Sequence, residues 1–248
     1  MKRVVAAVLL AAALVAGAAS ARPEAQRANL TVFAAASLTD AFPKIDRSEK
    51  YSFGGSNALA AQIRLGAPAD VFASANTTLP IALYKDKLCS KPVVFTRNRL
   101  VLIVPRSNPA HIRSVYDLRK AGIKLVIAAQ GVPVGSYTLQ VLKRMNLTSV
   151  LSHVVSREND VREVLAKVAL NEADAGFVYS TDARTVPRKV LALKLPAWAQ
   201  PKVQYGICVV AASSHKPAAR AFVKRVLGRT GQKILIRYGF LPRVKPKR

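Results

Sequence analysis

The chain has 248 residues, of which 51% are hydrophobic and 6% aromatic, and its formal net charge at pH 7 is +26. This composition excludes a disordered chain and provides enough apolar residues for one large domain or two small ones. The basic residues are scattered, without the alternation of basic and aromatic residues typical of nucleic-acid binding. We therefore expect a solvated basic surface that attracts small anions, and no nucleic-acid partner.

Residues 1–21 have the pattern of an export signal, because two basic residues precede an apolar run and the small residues of a cleavage site end at Ala21. The apolar run is shorter than the roughly 20 residues that a membrane span needs. We expect cleavage before Arg22 and a mature chain in the periplasm or on the extracellular side. That mature chain has 37 basic and 13 acidic residues, a net charge of +24.

The pattern of apolar residues predicts strands and helices that alternate along the chain. In chain order, the predicted elements are a strand at 30–36, a short helix opening at 37–42, a strand at 50–53, a helix at 56–66, strands at 69–75 and 98–105, a helix at 114–122, a strand at 124–130, helices at 136–146 and 160–173, strands at 175–180 and 204–212, and helical structure over 217–239. This order predicts an α/β fold with mostly parallel sheets flanked by helices.

Four junctions share a design that suits an anion. Ser37 and Ser56 each follow a strand and begin a helix, the turn 133–135 precedes a helix, and residues 159–160 precede the helix that begins near Val161. The start of a helix has unpaired backbone N–H groups and a partial positive charge, which together attract an anion. Ordinary helix capping explains any one junction. Four of them at strand ends favour a ligand site.

No catalytic set is apparent in the sequence. His111, His153 and His215 are far apart, and none lies near a cysteine or a pair of acidic residues at the spacing of metal ligands. The chain contains neither a P-loop lysine motif nor a dinucleotide-binding fingerprint. These observations favour a binding protein over an enzyme, and we expect no cofactor.

The junctions lie in six longer stretches that follow one another over most of residues 29–240. They are TVFAAASLTDAF, GGSNALAAQIRLGAPADVFASA, NRLVLIVP, GVPVGSYTLQVL, DVREVLAKVALNEADAGFVYSTDA and the closing YGF. In these stretches the sequence resembles the periplasmic molybdate-binding proteins of ABC transporters. The most specific stretches are GAPADVFASA and AGFVYSTDA.

The resemblance implies a set of residues that bind an oxyanion. Ser37 and Ser56 match serines that donate through hydroxyl and backbone N–H groups, whereas Val134 and Val161 match positions that donate through the backbone alone. Tyr179 matches a tyrosine whose hydroxyl closes on the anion. Neutral donors of this kind hold a dianion without a buried counter-charge, because each hydrogen bond is stronger where water is excluded.

The resemblance also implies the architecture and the role of the protein. Two α/β lobes of the type II periplasmic-binding-protein fold should enclose the ligand in a cleft between them, with lobe 1 formed by residues 29–98 plus 205–248 and lobe 2 by residues 99–204. A protein of this kind captures molybdate or tungstate and delivers it to the permease of an ABC transporter. It is expected to be a monomer, and molybdenum enters only as the oxyanion.

The chain departs from the family pattern in three places. The segment between Ser37 and Ser56 is short, Asn57 stands where a hydroxyl is common, and Val134 is bulkier than the usual alanine. Export permits a disulfide between Cys89 and Cys208, although Cys208 also fits a buried thiol in an apolar run. The sequence leaves both states of the cysteines open.

Three other functions remain open at this point. The same fold could bind sulfate or phosphate, and an inward carboxylate at Asp160 would favour phosphate, which carries a proton that needs an acceptor. A secreted basic protein that binds anionic polymers would have a continuous basic face across both lobes. An enzyme would need a histidine or a carboxylate within hydrogen-bond reach of Ser37.

Overall fold

The computed structural model describes residues 29–243, so the predicted export signal and residues 244–248 lie outside the described range. Within that range the chain forms ten strands, eight α-helices and four short 3-10 helices. None of these helices is long and apolar enough to cross a membrane. The strands form two sheets of five strands each.

The first sheet has the strand order β2-β1-β3-β10-β4. Its strands are β1 (Thr31–Ala35), β2 (Lys50–Gly54), β3 (Val71–Ser74), β4 (Val93–Arg97) and β10 (Gln204–Val209). Strands β2 and β3 pair in parallel with β1, and β10 runs antiparallel to both β3 and β4. Four of the five strands therefore point in one direction, with β10 inserted between two of them.

The second sheet repeats this topology with the order β7-β6-β8-β5-β9. Its strands are β5 (Leu100–Pro105), β6 (Leu125–Ala128), β7 (Val154–Glu158), β8 (Ala175–Tyr179) and β9 (Val190–Lys194). Here β5 is the strand that runs antiparallel to its two neighbours, β8 and β9. Two sheets with mostly parallel strands, each flanked by helices, confirm the predicted α/β class.

The chain passes between the two sheets twice, at residues 98–99 and at residues 195–203. Each passage leads into the antiparallel strand of the next sheet, β5 after the first crossing and β10 after the second. We call the first sheet with its helices lobe 1 and the second sheet with its helices lobe 2. We keep the predicted division, 29–98 plus 205–248 and 99–204, as a proposal, with the note that β10 begins at Gln204.

Helices cover both sheets, since βαβ connections place helices on the sheet faces. In lobe 1 these are the 3-10 helix Ala36–Leu38, α1 (Phe42–Ile45), α2 (Ser56–Arg64), α3 (Thr78–Lys85), α7 (Lys216–Leu227) and α8 (Arg229–Arg237). In lobe 2 they are the 3-10 helices Val115–Arg119 and Thr148–His153, with α4 (Pro133–Arg144), α5 (Val161–Ala169) and α6 (Ser180–Ala183). A further 3-10 helix, Ala197–Ala199, lies in the second crossing. Helix α5 of lobe 2 also contacts the 3-10 helix of lobe 1, so the lobes lie close together.

Several elements differ from the predicted ones for local reasons. The predicted helix at 114–122 is a shorter 3-10 helix, which begins at a capping box of Ser114 and Asp117 and ends at Lys120, where the backbone is already extended. The predicted helical segment 217–239 is divided at Gly228, whose φ of −75° and ψ of 172° end α7 and begin α8. Helix α3 and strands β4, β7 and β9 were not predicted. In β7 and β9, mostly half-buried residues alternate with exposed ones, whereas the central strands of the same sheet are buried throughout.

The two cysteines are free thiols and lie in a small apolar core of lobe 1. Cys89 and Cys208 are 5% and 1% exposed, respectively. The Cys89 thiol donates to the backbone oxygen of Pro80 at 3.4 Å. The thiol of Cys89 and burial together raise the pKa of the Cys208 thiol above its usual range. In the structure the pair therefore acts as two small apolar side chains.

Candidate functional site

A cavity lies between the lobes, where the parallel strands of both sheets end. The space not occupied by atoms, including the mouth of the cavity, is about 210 Å³. Lobe 1 lines it with Ala35, Ala36, Ser37, Gly54, Gly55, Ser56 and Ala75, and lobe 2 with Val132, Pro133, Val134, Asp160, Val161 and Tyr179. These residues lie at or just after the carboxyl ends of β1, β2, β3, β6, β7 and β8. This is the edge at which open α/β sheets bind ligands.

All five site residues predicted from the sequence line this cavity, although they come from five separate parts of the chain. They are Ser37, Ser56, Val134, Val161 and Tyr179. Each of them is between 1% and 4% exposed. The structure therefore brings the predicted set together around a space whose lining residues are largely shielded from solvent.

The backbone of the site presents the unpaired ends of helices. Ser56 and Val161 are the first residues of α2 and α5, and Val134 is the second residue of α4, after Pro133. The first N–H groups of a helix have no partner within the helix, and proline at the first position removes none that would be needed. Three helix starts therefore direct N–H donors and partial positive charge towards the cavity.

Two glycines allow the backbone to come close at these junctions. A side chain at Gly55 would collide with the backbone oxygen of Asn159 in lobe 2, and one at Gly135 would collide with the backbone oxygens of Ala128 and Ala129. Neither glycine has a positive φ. Glycine is therefore required because the backbones come into close contact, between the two lobes at Gly55 and between helix and strand at Gly135.

The two serine hydroxyls differ in what holds them. The backbone N–H of Ala75 donates to Ser56 Oγ at 3.1 Å. Ser37 Oγ instead lies 2.8 Å from the hydroxyl of Tyr205, a fully buried residue in β10. Tyr205 was not predicted from the sequence, because no local signal connects residues 168 positions apart.

Tyr179 brings a phenol to the cavity from the end of β8. Its hydroxyl oxygen is buried and makes no hydrogen bond of good geometry within residues 29–243. Burial, followed by the neighbouring phenols of Tyr205 and Tyr137, raises the pKa of Tyr179 well above its usual value. The group is therefore a neutral phenol with a proton to donate, and a buried hydroxyl without a partner is costly unless a ligand completes it.

Within residues 29–243, Asp160 is the only charged residue that lines the cavity. Its Oδ1 accepts from the backbone N–H of Arg162 at 2.6 Å and of Glu163 at 3.1 Å, so it caps α5. Among the residues that the structure describes, no lysine or arginine lines this cavity. Any anion here would be held by neutral donors and helix ends, which form anion sites without a cationic side chain.

An arginine beside the cavity connects the two lobes. Arg162 of α5 donates through Nε to Asp182 at 2.8 Å and forms a second ion pair with Asp40 of lobe 1. Burial raises the pKa of Asp182 to about 6, against the opposing effect of Arg162. Arg162 was not predicted as a site residue, although its position directly after Val161 places it next to the site.

The described residues offer no catalytic or metal-binding set. The hydrogen-bond partner of Ser37 Oγ is the phenol of Tyr205, so neither a histidine nor a carboxylate activates this serine. Asp70, Ser213 and His215 lie together, but the Ser213 hydroxyl and the His215 ring both contact Asp70, so the imidazole is not placed as a base for this serine. No group of three metal-ligating side chains occurs within residues 29–243.

Comparison with known proteins places the chain among transport proteins. A profile of the family described as bacterial extracellular solute-binding protein matches residues 30–241. The molybdate-binding protein ModA of Mycobacterium tuberculosis is 37% identical over 222 residues, which cover 86% of this chain and 84% of that protein.

Solved structures share the two-lobe fold. The periplasmic molybdate-binding protein of Azotobacter vinelandii has a TM-score of 0.75 at 22% identity, over 88% of this chain and 100% of that chain. The sulfate-binding protein SubI of Mycobacterium tuberculosis has a TM-score of 0.74 at 22% identity, over 88% of this chain and 87% of that chain. At this level of identity, both similarities concern the fold alone.

Proposed function

This chain belongs to the family of bacterial extracellular solute-binding proteins, and we propose that it captures molybdate or tungstate between its two lobes and delivers the anion to the permease of an ABC transporter. The relative named as a molybdate-binding protein aligns with most of the chain, which supports molybdate as the ligand. Molybdate and tungstate are close in size and charge, so one site accepts both.

The observation that carries this proposal is the convergence of donors from both lobes on one closed cavity. The hydroxyls of Ser37, Ser56 and Tyr179 and the backbone N–H groups at Val134 and Val161 would bind the oxygens of the anion. Hydrogen bonds to an ionised group are stronger than those between neutral groups, and they gain further where water is excluded. Because both lobes supply donors, the anion would stabilise the closed arrangement.

Other tetrahedral oxyanions are the alternative ligands. Hydrogen phosphate has a proton that needs an acceptor, and Asp160, the carboxylate that lines the cavity, already holds two backbone N–H groups of α5 through Oδ1. This supports a fully deprotonated dianion. Sulfate is such a dianion but is smaller than molybdate, so donors held at a fixed distance would form longer hydrogen bonds with it.

The proposed role in the cell follows from the family. The protein acts outside the cytoplasm, after cleavage of the predicted signal at residues 1–21, and works as a monomeric carrier. It performs no chemistry on the anion and needs no cofactor, because molybdenum enters and leaves as the oxyanion. The ABC permease is the partner to which the closed, loaded protein is presented.

A panel of thermal unfolding experiments tests the function. The mature protein is heated with molybdate, tungstate, sulfate or phosphate at equal ionic strength. A ligand present at about 1,000 times its dissociation constant adds about 4 kcal/mol to the free energy of unfolding, which raises the melting temperature clearly. We expect large shifts with molybdate and tungstate, and much smaller shifts with sulfate and phosphate.

Calorimetric titration of serine variants completes the test. Ser37→Ala and Ser56→Ala should each weaken molybdate binding by about 10- to 100-fold, because each removes a hydrogen bond to a charged ligand. Ser152→Ala is the matched control, since this exposed serine lies in lobe 2 away from the cavity. In the thermal unfolding panel, a rise in melting temperature with phosphate or sulfate alone would reassign the ligand. No rise with any of the four anions would overturn the proposed function.

A further inference from the structure

Asn98 occupies the first crossing between the lobes and has a fixed side-chain orientation. It is 4% exposed and directly follows β4. Its Oδ1 accepts from the backbone N–H of Arg99 at 2.9 Å and from the hydroxyl of Ser180 at 3.1 Å. A backbone N–H can only donate, so the oxygen of the amide must face Arg99 and the nitrogen must face the other way.

The amide nitrogen of Asn98 determines the direction of the next hydrogen bonds. Its Nδ2 donates to Thr181 Oγ1 at 2.9 Å and to the Tyr205 hydroxyl at 3.3 Å. The amide nitrogen of Asn98 cannot accept a hydrogen bond, so of the two partners of the Tyr205 hydroxyl only Ser37 Oγ, 2.8 Å away, can accept its proton. Tyr205 remains neutral, because burial raises its pKa well above the usual value.

Ser37 is thus the acceptor at the end of this chain of hydrogen bonds. Its oxygen is occupied by the proton of Tyr205, and its own proton is left for the cavity that Ser37 lines. The oxygen of Ser56 is likewise occupied, since the backbone N–H of Ala75 donates to it, and the proton of the Ser56 hydroxyl is left for the cavity. In lobe 1 both serine hydroxyls are therefore arranged to donate into the cavity.

We propose that Asn98 and Tyr205 are positioning residues for anion binding, which orient the Ser37 hydroxyl as a donor towards the ligand. This inference rests on the proposed function, and neither residue touches the cavity. A free serine hydroxyl rotates to suit its surroundings and can also accept a hydrogen bond. Fixing it as a donor favours a fully deprotonated oxyanion and removes the cost of ordering the hydroxyl when the anion binds.

We call the hydrogen bonds that run from Asn98 through Tyr205 to Ser37 the relay. The relay also depends on the arrangement of the lobes. Tyr205 belongs to lobe 1, whereas Ser180 and Thr181 belong to α6 of lobe 2. Asn98 lies between them, and its amide contacts both sides. Because partners in both lobes hold this amide, the donor state of Ser37 is coupled to the closed arrangement in which the cavity exists.

A double-mutant cycle with Tyr205→Phe and Ser37→Ala tests the relay. We expect Tyr205→Phe alone to weaken molybdate binding by about tenfold, which corresponds to about 1.4 kcal/mol of binding free energy. In the Ser37→Ala background the same substitution should have almost no further effect, because the hydroxyl that it orients is absent. Coupling of this kind is measured as the deviation of the double variant from additivity.

Two controls separate the relay from a general loss of structure. Tyr51→Phe removes a partly buried phenol of lobe 1, whose hydroxyl donates to the backbone oxygen of Asp46 at 2.7 Å. It should leave molybdate affinity within about twofold, since Tyr51 lies outside the cavity. Thermal unfolding of each variant without ligand verifies that it is folded.

Anion selectivity provides a readout that a structural defect would not change. In Tyr205→Phe the oxygen of Ser37 is free to accept the proton of hydrogen phosphate. The ratio of the dissociation constants of phosphate and molybdate should therefore fall by about tenfold or more. A defect that only loosens the site would weaken both anions equally and leave this ratio unchanged.

The outcomes distinguish the two levels of the proposal. If the wild-type protein binds none of the four anions, the proposed function is wrong and the relay has no ligand to serve. If it binds an anion but the two substitutions are additive, or if both anions weaken equally in Tyr205→Phe, the relay is wrong while the proposed function stands. The cycle is run with whichever dianion gives the largest thermal shift.

Discussion

Gly55 leaves no room for a side chain between the lobes. Its backbone, with φ of −60° and ψ of 127°, is accessible to any residue, but an added Cβ would collide with the oxygen of Asn159. We predict that Gly55→Ala holds the lobes apart and weakens molybdate binding by at least about 100-fold, because donors of the second lobe no longer reach the anion. Calorimetric titration measures this loss.

The neighbouring glycine is the matched control. A Cβ at Gly54 would find its closest atom, Leu59 Cδ2, at 4.0 Å, an ordinary contact. Gly54→Ala should therefore bind far more tightly than Gly55→Ala, and both variants should unfold at nearly the wild-type temperature without ligand. Equal affinities of the two variants would show that the contact between Gly55 and Asn159 does not control closure.

Tyr179→Phe should separate binding from stability. The variant loses a hydrogen-bond donor to a charged ligand, so its molybdate affinity should be about 10- to 100-fold lower than that of the wild type. Without ligand, the free energy of unfolding should stay the same or rise slightly, because the substitution removes a buried hydroxyl that has no good partner within the described chain. Titration and denaturant unfolding of the ligand-free variant measure the two effects; a large loss of stability would contradict this account.

The sequence predicts residues of the cavity wall better than the residues behind it. Ser37 and Ser56 each have a local signature, a strand that ends and a helix that begins, and the family match confirms the resemblance from which Tyr179 was chosen. Asn98 and Tyr205 have no such signature. Their importance comes from hydrogen bonds that join residues more than 100 positions apart, and a single sequence does not contain that information.

Helix α5 and the elements around it carry a pH-dependent ion pair. The folded protein holds the carboxyl of Asp182 at a pKa of about 6, above its usual value of 3.8, because burial disfavours the charged form. Between about pH 4 and pH 6 the folded state therefore retains a proton that the unfolded chain has released. By linkage, this group lowers the free energy of unfolding as the pH rises through that window, and the effect is constant above it.

Asp182→Asn isolates this contribution. The variant also loses the ion pair with Arg162, which lowers its stability by an offset. The difference in unfolding free energy between wild type and variant should nevertheless change between pH 4 and pH 6, with the wild type losing stability relative to the variant as the pH rises. Denaturant unfolding across this range gives the difference, and parallel curves would mean that Asp182 is ionised in the folded protein throughout.

The elements missed in the sequence have weak signals for physical reasons. Strands β7 and β9 lie at the edges of their sheet, and in them mostly half-buried residues alternate with exposed ones. Buried strands such as β5 and β6 were found easily, because every residue in them is apolar and covered. In the second sheet, periodicity therefore identifies the central strands and misses the two edge strands.

The whole molecule carries a charge that should act on the rate of capture. Without residues 1–21 the net charge is +24, and the field of such a surface attracts a dianion over distances of about a Debye length. We predict that the association rate constant of molybdate falls several-fold when sodium chloride rises from 10 to 150 mM. The dissociation rate constant should change little, because the bound anion is enclosed and poorly screened. Stopped-flow measurements separate the two rates.

A salt effect on dissociation alone would contradict this assignment of the basic surface. Potassium chloride in place of sodium chloride is the control, since screening depends on ionic strength and not on the cation. If the two salts act differently at equal concentration, specific ion binding, and not the field of the molecule, is responsible.

The insertion of β10 between β3 and β4 imposes an order on assembly. Strand β4 has β10 as its sheet neighbour, and β10 follows it in the sequence by more than 100 residues. The strands of the second sheet, in contrast, all lie between residues 100 and 194. A chain that emerges from its amino end can therefore complete the second sheet first, while the first sheet waits for its interior strand. Because Tyr205 arrives with that strand, the anion can influence only the last step of folding.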